Sequence, residues 1–325
     1  MSVSDISAPA KKEAPVTSFR RATSLALVLV LGLAFSGAVA VVVRNQERER
    51  FEEDFDRQTQ IQSRAMEVAI REYEECLFTL RDLFLSSDEV RAEEFRRTSE
   101  DLRSRHPGLE LLVWLPRIKK DQRAAFEAAP NREDGTKFPI HENADAATGH
   151  PAIPSPEHEE YLPVQYCDPV NGNKVIFGFD HFRGPFQRTV QRAVESGETS
   201  ATRRLILDEG NGEEAGWGFA LPVYQGDSAP LNADERKDQL RGILAGAVPF
   251  RDLLKNTVLK MPSNTVNLLL VDKAGEEGER YLAGLMDGQL KVSKKASLER
   301  SFFLSKCISN CGVPVILICS SLICG

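Results

Sequence analysis

His106-Pro107-Gly108-Leu109-Glu110-Leu111-Leu112-Val113-Trp114-Leu115-Pro116-Arg117 is the junction on which the reading of this chain turns. Proline pushes the residue before it out of helical geometry and glycine turns freely, so a helix arriving from upstream stops at His106-Pro107-Gly108. Leu109 to Leu115 is then a short, almost wholly apolar run with a β-branched and an aromatic residue, which predicts a buried strand. The chain is helical on one side of this junction and sheet-forming on the other.

Upstream, residues 45–105 contain neither Gly nor Pro and are rich in Glu, Arg and Gln, which predicts a long helical stalk. Met66, Ile70, Tyr73, Leu77, Leu80 and Phe84 alternate spacings of four and three, as a heptad seam does. Packing on the chain's own domain accounts for most of that seam. Pairing with a second copy, a homodimer through the stalk helix, supplements it. Before the stalk, Leu25 to Val43 is uncharged and about nineteen residues long, enough for a helix to cross a bilayer.

Arg20 and Arg21 precede this span while Arg44, Arg48 and Arg50 follow it, so basic flanks alone do not orient it. A short tail, residues 1–24, stays in the cytoplasm as a disordered segment, and the long following domain translocates. The competing reading is a cleaved signal peptide ending near Ala38-Val39-Ala40. Against it, the apolar run continues through Val41, Val42 and Val43 behind a long basic region. Both readings put the remainder in the periplasm or outside the cell.

Downstream, Lys119 to Ala129 reads as a short helix, and Leu162 to Cys167 and Lys174 to Asp180 as strands joined by a turn at 168–173. Pro185 opens a helix that Gly197 closes. Ala201 to Leu207, Gly216 to Tyr224, Arg241 to Pro249 and Thr265 to Asp272 read as strands, with a helix from Phe250 to Leu259. Strands in neighbouring order, only some separated by helices, give an α+β class with antiparallel sheets, two small ones on a helical spine. Residues 301–325 lose the charge pattern and end in about a dozen largely apolar residues, too few to span a membrane securely. That tail reads as a curtailed second membrane segment or as unrelated sequence.

A net charge of -7 argues against nucleic acid, which needs a basic surface. Four of the six cysteines, Cys307, Cys311, Cys319 and Cys324, crowd the tail, and no CxxC pair occurs. Cys76 and Cys167 read as separate buried thiols rather than a disulfide. There is no P-loop, GxSxG elbow, HExxH or dinucleotide fingerprint, so no enzyme chemistry and no cofactor are expected. Glu213-Glu214 and Glu276-Glu277 lie in Gly-rich turns and read as solvated. His141, His150 and His158, with Glu142, Asp145 and Glu157, offer metal-type ligands at spacings that fit no regular ligand pair, so no metal is assigned.

Four pieces in order give the stretch from Phe51 to Leu259 its resemblance to the CHASE domain, the extracellular sensor of membrane histidine kinases and nucleotide cyclases. They are Leu83-Phe84-Leu85-Ser86-Ser87 with Glu94-Phe95, and His106-Pro107-Gly108-Leu109 running into Trp114-Leu115-Pro116-Arg117. Then come Tyr161-Leu162-Pro163-Val164, Gly178-Phe179-Asp180, Arg192-Ala193 and Ser196-Gly197, and finally Pro222-Val223-Tyr224, Gly242-Ile243-Leu244 and Phe250-Arg251-Asp252-Leu253-Leu254. The resemblance implies a stalk helix bearing two PAS-like antiparallel-sheet subdomains over 106–300, a ligand pocket in the membrane-distal one, a dimer, and signal transfer through the membrane.

Asp180 closes the apolar run Val175 to Phe179. From the residues alone, capping the next turn is favoured over holding a ligand's N–H donors. The resemblance to the family's ligand-contacting aspartate reverses that preference. It also sets Ala201 and Thr202 near a strand whose backbone faces the ligand. Cytokinin receptors of the family carry a larger aliphatic residue where Ala201 falls, so cytokinin specificity is not carried over. Phe177, Phe179, Tyr166, Trp217 and Phe219 are candidate pocket walls, each also readable as sheet core. The expectation is a membrane-anchored sensor that binds a small molecule and signals to a histidine kinase or diguanylate cyclase module not contained in these residues. The alternatives are a periplasmic binding or scaffold protein without output, and an extracytoplasmic enzyme.

Overall fold

The computed structural model describes residues 16–87, 89–130, 137–142, 153–169, 176–183, 186–208, 213–226, 229–261, 266–272, 281–286, 289–292, 306–308 and 315–321. Two compact units divide the chain, one ending at Arg57 and the other starting at Gln58. Helix α1 (Val16–Ser86) contributes to both. In the first unit it exposes Leu25, Leu27 to Leu31, Leu33, Phe35 and Val41 to Val43. Among the described residues this is the one helix long and apolar enough to cross a membrane. It begins at Val16, inside the segment expected to be disordered, directly after Pro15, a residue suited to a helix start. Residues 1–15 lie outside the described ones.

In the second unit, α1 turns Met66, Ala69, Tyr73, Cys76, Leu77, Leu80 and Phe84 inward, and all are buried. Their three-and-four spacing is one helix face, so the heptad-like seam is spent on the chain's own core, with Ile70 at its margin. The expected single stalk is two helices. α1 ends at Ser86 and α2 (Ala92–Arg105) restarts after a break over 87–91. Serine side chains compete for backbone partners, and the Ser86 hydroxyl already bonds the Leu83 carbonyl. On the far side of the break, the Arg91 N–H donates to the Glu94 carboxylate at 3.0 Å, fixing the start of α2. Gly108, at φ 102°, makes the next turn, where a Cβ would lie 2.7 Å from the Tyr73 hydroxyl. That hydroxyl and the Asn256 amide both donate to the Pro107 carbonyl, at 3.0 and 2.9 Å.

The first sheet is built from β1 (Leu111–Pro116), β6 (Tyr166–Asp168), β7 (Ser200–Asp208), β8 (Glu213–Tyr224) and β9 (Leu240–Pro249), in the order β6-β1-β9-β8-β7, antiparallel throughout. Between them lie two short pairs, β2 (Ile118–Lys119) with β5 (Glu160–Tyr161) and β3 (His141–Glu142) with β4 (Ile153–Pro154). The helices are α3 (Arg123–Ala128), α4 (Gln187–Ser196) and α5 (Ala233–Asp238), and α6 (Phe250–Asn256) follows β9. The helix expected over Lys119 to Ala129 is one 3-10 turn (Lys120–Gln122) followed by the six residues of α3, with Lys119 itself in β2. Gly197, at φ 78°, ends α4 as expected. Residues 112–115 are all buried, because the sheet is covered on both faces.

A second sheet has the order β12-β11-β10-β14-β13, from β10 (Val266–Asp272), β11 (Tyr281–Met286), β12 (Gln289–Val292), β13 (Lys306–Ile308) and β14 (Val315–Ser321). β14 pairs with all seven residues of β10. Here the structure departs from the sequence reading, which left 301–325 between a membrane segment and unrelated sequence. A short apolar run is as suitable for a buried strand as for a truncated helix, and long-range pairing decides.

Two further expectations are corrected. Lys174 to Asp180 is no strand over its described part, 176–180, which opens with a 3-10 turn in which the Phe179 N–H donates to the Ile176 carbonyl at 3.2 Å. Gly178, at φ 83°, turns there, with no room for a Cβ against the Pro139 carbonyl oxygen at 2.2 Å. Glu214 is not solvated. It is buried on β8, its carboxylate 2.8 Å from the Arg251 guanidinium. Glu276-Glu277 lie outside the described residues.

Candidate functional site

Side chains alternate along each strand and cross-strand partners share a face, so the first sheet presents two distinct surfaces. One meets the stalk. Phe84 of α1 stacks on Trp114 with ring centroids 4.1 Å apart, and Tyr73 meets Trp217 edge-on at 6.5 Å. Phe95 of α2 lies 5.6 Å from Tyr166, whose hydroxyl donates to the Val90 carbonyl at 2.9 Å. Phe219 sits opposite Gly246, where any Cβ would lie 2.7 Å from its ring.

The other surface carries Val113, Leu115, Ala220, Ile243 and Ala245, and it is covered by α4 and by segments around Ile140, Leu162 and Phe177. Here lies the stretch from Ile176 to Arg183, threaded between two others. A parallel bridge joins Phe179 to His141, and an antiparallel bridge joins Asp180 to Pro163. The Asp180 N–H donates to the His141 carbonyl at 2.9 Å, and the His181 N–H to the Leu162 carbonyl at 3.0 Å.

Asp180 is 1% exposed. Its Oδ1 accepts two backbone N–H bonds, from Leu162 at 2.9 Å and from Phe182 at 3.0 Å. The second is the turn-capping role that aspartate commonly fills. Oδ2 is equally buried and has no hydrogen-bond partner among the described residues. Burial holds this carboxyl above the usual carboxylate range, while the two N–H donors pull it the other way. A buried acceptor left empty is a costly feature unless something supplies a donor.

The neighbours complete the setting. Phe177 is buried and stacks on Phe138 at 5.3 Å, and the half-buried Phe179 lies between two histidines. His141 is buried and its Nε2 donates to the Phe177 carbonyl at 2.9 Å, which fixes its tautomer. His181 keeps part of its surface, but its ring is wedged edge-on between Phe179 at 4.8 Å and Phe186 at 5.6 Å, and its Nδ1 is shut from solvent. Burial lowers its pKa to about 4.

The structure therefore divides the residues singled out from sequence. Asp180, Phe177 and Phe179 come together. Tyr166, Trp217 and Phe219 belong to the stalk-facing surface, and Ala201 stands across from Phe219. A one-residue parity error per strand suffices to misassign a face, and the sequence does not carry the registers that would correct it. Thr202 occupies a bulge in β7 between Ala201 and Arg204, where its hydroxyl accepts the Gly218 N–H at 2.8 Å and donates to the Arg203 carbonyl. The Ala201 carbonyl is taken by the Arg192 guanidinium at 2.7 Å.

His141 and His181 were not singled out for this site. His181 stands in Phe179-Asp180-His181-Phe182, and a histidine flanked by aromatics beside a buried aspartate was the available signal. Of the histidine cluster, His158 contacts Glu142 at 3.1 Å, the Ser155 hydroxyl donates to the same carboxylate at 2.8 Å, and Glu157 pairs with Lys120. His150 and Asp145 lie outside the described residues. Among the described residues no three His, Cys, Asp or Glu side chains group as a metal-holding set. Cys76 and Cys167 are separate buried thiols.

A family model described as the CHASE domain matches residues 88–282. No curated protein matches the chain. Solved structures similar to it include the ligand binding domain of the Pseudomonas aeruginosa PAO1 amino acid chemoreceptor PctB in complex with L-Arg. That domain is 11% identical with a TM-score of 0.42, over 84% of this chain and 96% of that one. An extracellular ligand binding receptor from Desulfohalobium retbaense is 11% identical with a TM-score of 0.40, over 67% of this chain, which spans only 29% of that receptor. The periplasmic sensory domain of the Campylobacter jejuni chemoreceptor Tlp1 is 12% identical with a TM-score of 0.36, over 67% of this chain and 66% of that one. These likenesses are loose and extend to no individual residue.

Proposed function

This chain belongs to the CHASE domain family, and from that premise we propose that it is a membrane-anchored receptor that binds a small molecule at Asp180, in the segment packed on its first sheet. The family is an extracellular sensor of membrane proteins, and α1 supplies a span suited to anchor it. The short basic N-terminal segment stays in the cytoplasm and the sensor faces the periplasm or the outside. The output is a histidine kinase or cyclase module, driven through α1.

One observation carries the choice of site. Asp180 has one oxygen saturated by the backbone and the other buried and unpartnered among the described residues. A ligand that brings an N–H or O–H donor gains a charge-assisted hydrogen bond there without displacing a protein partner. Phe177 and Phe179 supply the apolar walls such pockets require. A dimer would use the side of α1 turned away from the core. Ile61 and Val68, exposed and one heptad apart, are the residues for it, since the inward seam is already occupied.

The test is a thermal-shift screen of the detergent-solubilised chain against small metabolites, with Asp180→Ala beside it. Keeping the whole chain matters because β14 would be lost from a fragment ending at 300. A ligand at a hundredfold excess over its Kd stabilises the fold by about 2.7 kcal/mol. A shift that vanishes in the variant supports the reading. Ligands that shift both proteins equally remove Asp180 from the site.

A further inference from the structure

The end of α1 is held by a residue of the sensory sheet. The last carbonyls of a helix have no partner within it, and a guanidinium can satisfy two at once. Arg241, on β9, does this, donating to the Phe84 carbonyl at 2.5 Å and to the Ser87 carbonyl at 3.3 Å. Its guanidinium also lies over the Phe84 ring, 5.8 Å from the centroid. Phe84 is in turn the ring stacked on Trp114.

From Arg241 an unbroken set of bonds leads back to Asp180. The Arg241 carbonyl accepts the Arg117 N–H at 3.0 Å. The Arg117 side chain donates to the Glu160 carboxylate at 2.6 Å, and also to the carbonyls of Lys237 and Asp238. Glu160 opens the strand that leads, two residues on, to Leu162, whose N–H is held by Asp180 Oδ1 at 2.9 Å. Every step is a covalent backbone segment or a direct hydrogen bond.

We propose that Arg117 and Arg241 are positioning residues that carry the state of the Asp180 site to the last turn of α1. A donor arriving at Oδ2 alters how firmly Oδ1 holds the Leu162 N–H. Leu162 and Glu160 share one short segment, so Glu160 moves with it and Arg117 follows. The Arg241 fork then tightens or slackens on the Phe84 and Ser87 carbonyls. The two-state element is the end of α1, capped or frayed, beside the break that precedes α2. The proposal rests on Asp180 being the sensing residue, but its test does not need the ligand.

Amide hydrogen exchange is followed over Phe84 to Ser87 in the full chain in detergent, for wild type, Asp180→Asn, Glu160→Gln and the double variant. Asp180→Asn is expected to change exchange there by roughly two- to thirtyfold, the range for mutations along a coupled network. In the Glu160→Gln background that change should disappear. Arg241→Lys, which keeps the charge and loses the fork, should abolish it in the same way. A purely structural role for these residues predicts additive effects instead. Additivity, or no response to Asp180→Asn in the wild-type background, overturns the relay. A chain that still loses a small-molecule thermal shift in Asp180→Ala but shows additive exchange keeps the site and loses the relay.

Discussion

The two faces of the first sheet are built from the same strands, yet they solve different problems. The stalk face is aromatic. Trp114 meets Phe84, Trp217 meets Tyr73 and Phe250, Tyr166 meets Phe95, and the Tyr166 and Tyr73 hydroxyls find backbone carbonyls. The opposite face contains a threaded segment with a strained glycine and, without a partner among the described residues, one oxygen of Asp180 and the buried Nδ1 of His181. The contrast is between a surface packed on the stalk and one covered by α4 and a threaded segment.

The largest effect that would sharpen this contrast is at Trp114. Trp114→Ala should cost about 3–5 kcal/mol, because a fully packed aromatic is removed from beneath Phe84. Phe179→Ala, half-exposed on the other face, should cost about 1 kcal/mol. Denaturant unfolding of both variants measures the difference, and equal losses would break the comparison.

Acid should act next, through His181. Its folded pKa of about 4 lies below the ordinary value of 6.5, so the folded state disfavours the charged ring. The stability it contributes is complete above about 6.5 and is lost as pH falls towards 4, by about 2–3 kcal/mol. His181→Phe, wedged between the same two rings, should remove that part of the acid sensitivity in melts taken across pH 4 to 7. An unchanged acid slope would show that the ring is not shielded as its contacts imply.

Asp180 should give the smallest effect, with the opposite sign. Its folded pKa is raised, so its contribution is favourable while protonated and is lost as pH rises through that raised value. Asp180→Asn keeps the acceptor for the two backbone N–H groups and removes the buried charge. It should therefore raise the melting temperature near neutral pH, by the equivalent of about 1 kcal/mol, while abolishing ligand response. A variant that is less stable at neutral pH would mean that the carboxylate is held by something beyond its two N–H donors.

Much of the architecture was legible because it rests on local signals. The apolar span before Arg44, the turn at His106-Pro107-Gly108, the strands around Gly216 to Tyr224 and Arg241 to Pro249, and the glycine stop at Gly197 all announce themselves in composition and period. What was hidden depends on partners distant in sequence. The register that sets Trp114 against Leu244 and Tyr166, and so decides which aromatics face the stalk, is a pairing of residues far apart in the chain. Gly178 conceals its turn inside an apolar run that otherwise reads as a strand. Asp180 stands out in the sequence, but its division into one occupied oxygen and one without a partner among the described residues is visible only once Leu162 and Phe182 are in place. The ion pair of Glu214 with Arg251 was hidden for the same reason.

The position of β14 in the second sheet bears on how the chain is made. β10, complete once residue 272 has been synthesised, is an edge strand until residues 315–321 arrive to lie beside it. At about 5–20 residues per second, the ribosome leaves that edge open for roughly two to nine seconds. During this interval Leu268, Leu269 and Leu270, buried in the finished protein, border a row of unpaired backbone groups, a ready template for pairing with another chain. The vulnerable interval is thus the one between the synthesis of β10 and that of β14, and holding the nascent chain apart from its copies until β14 emerges is a task for the cell's chaperones.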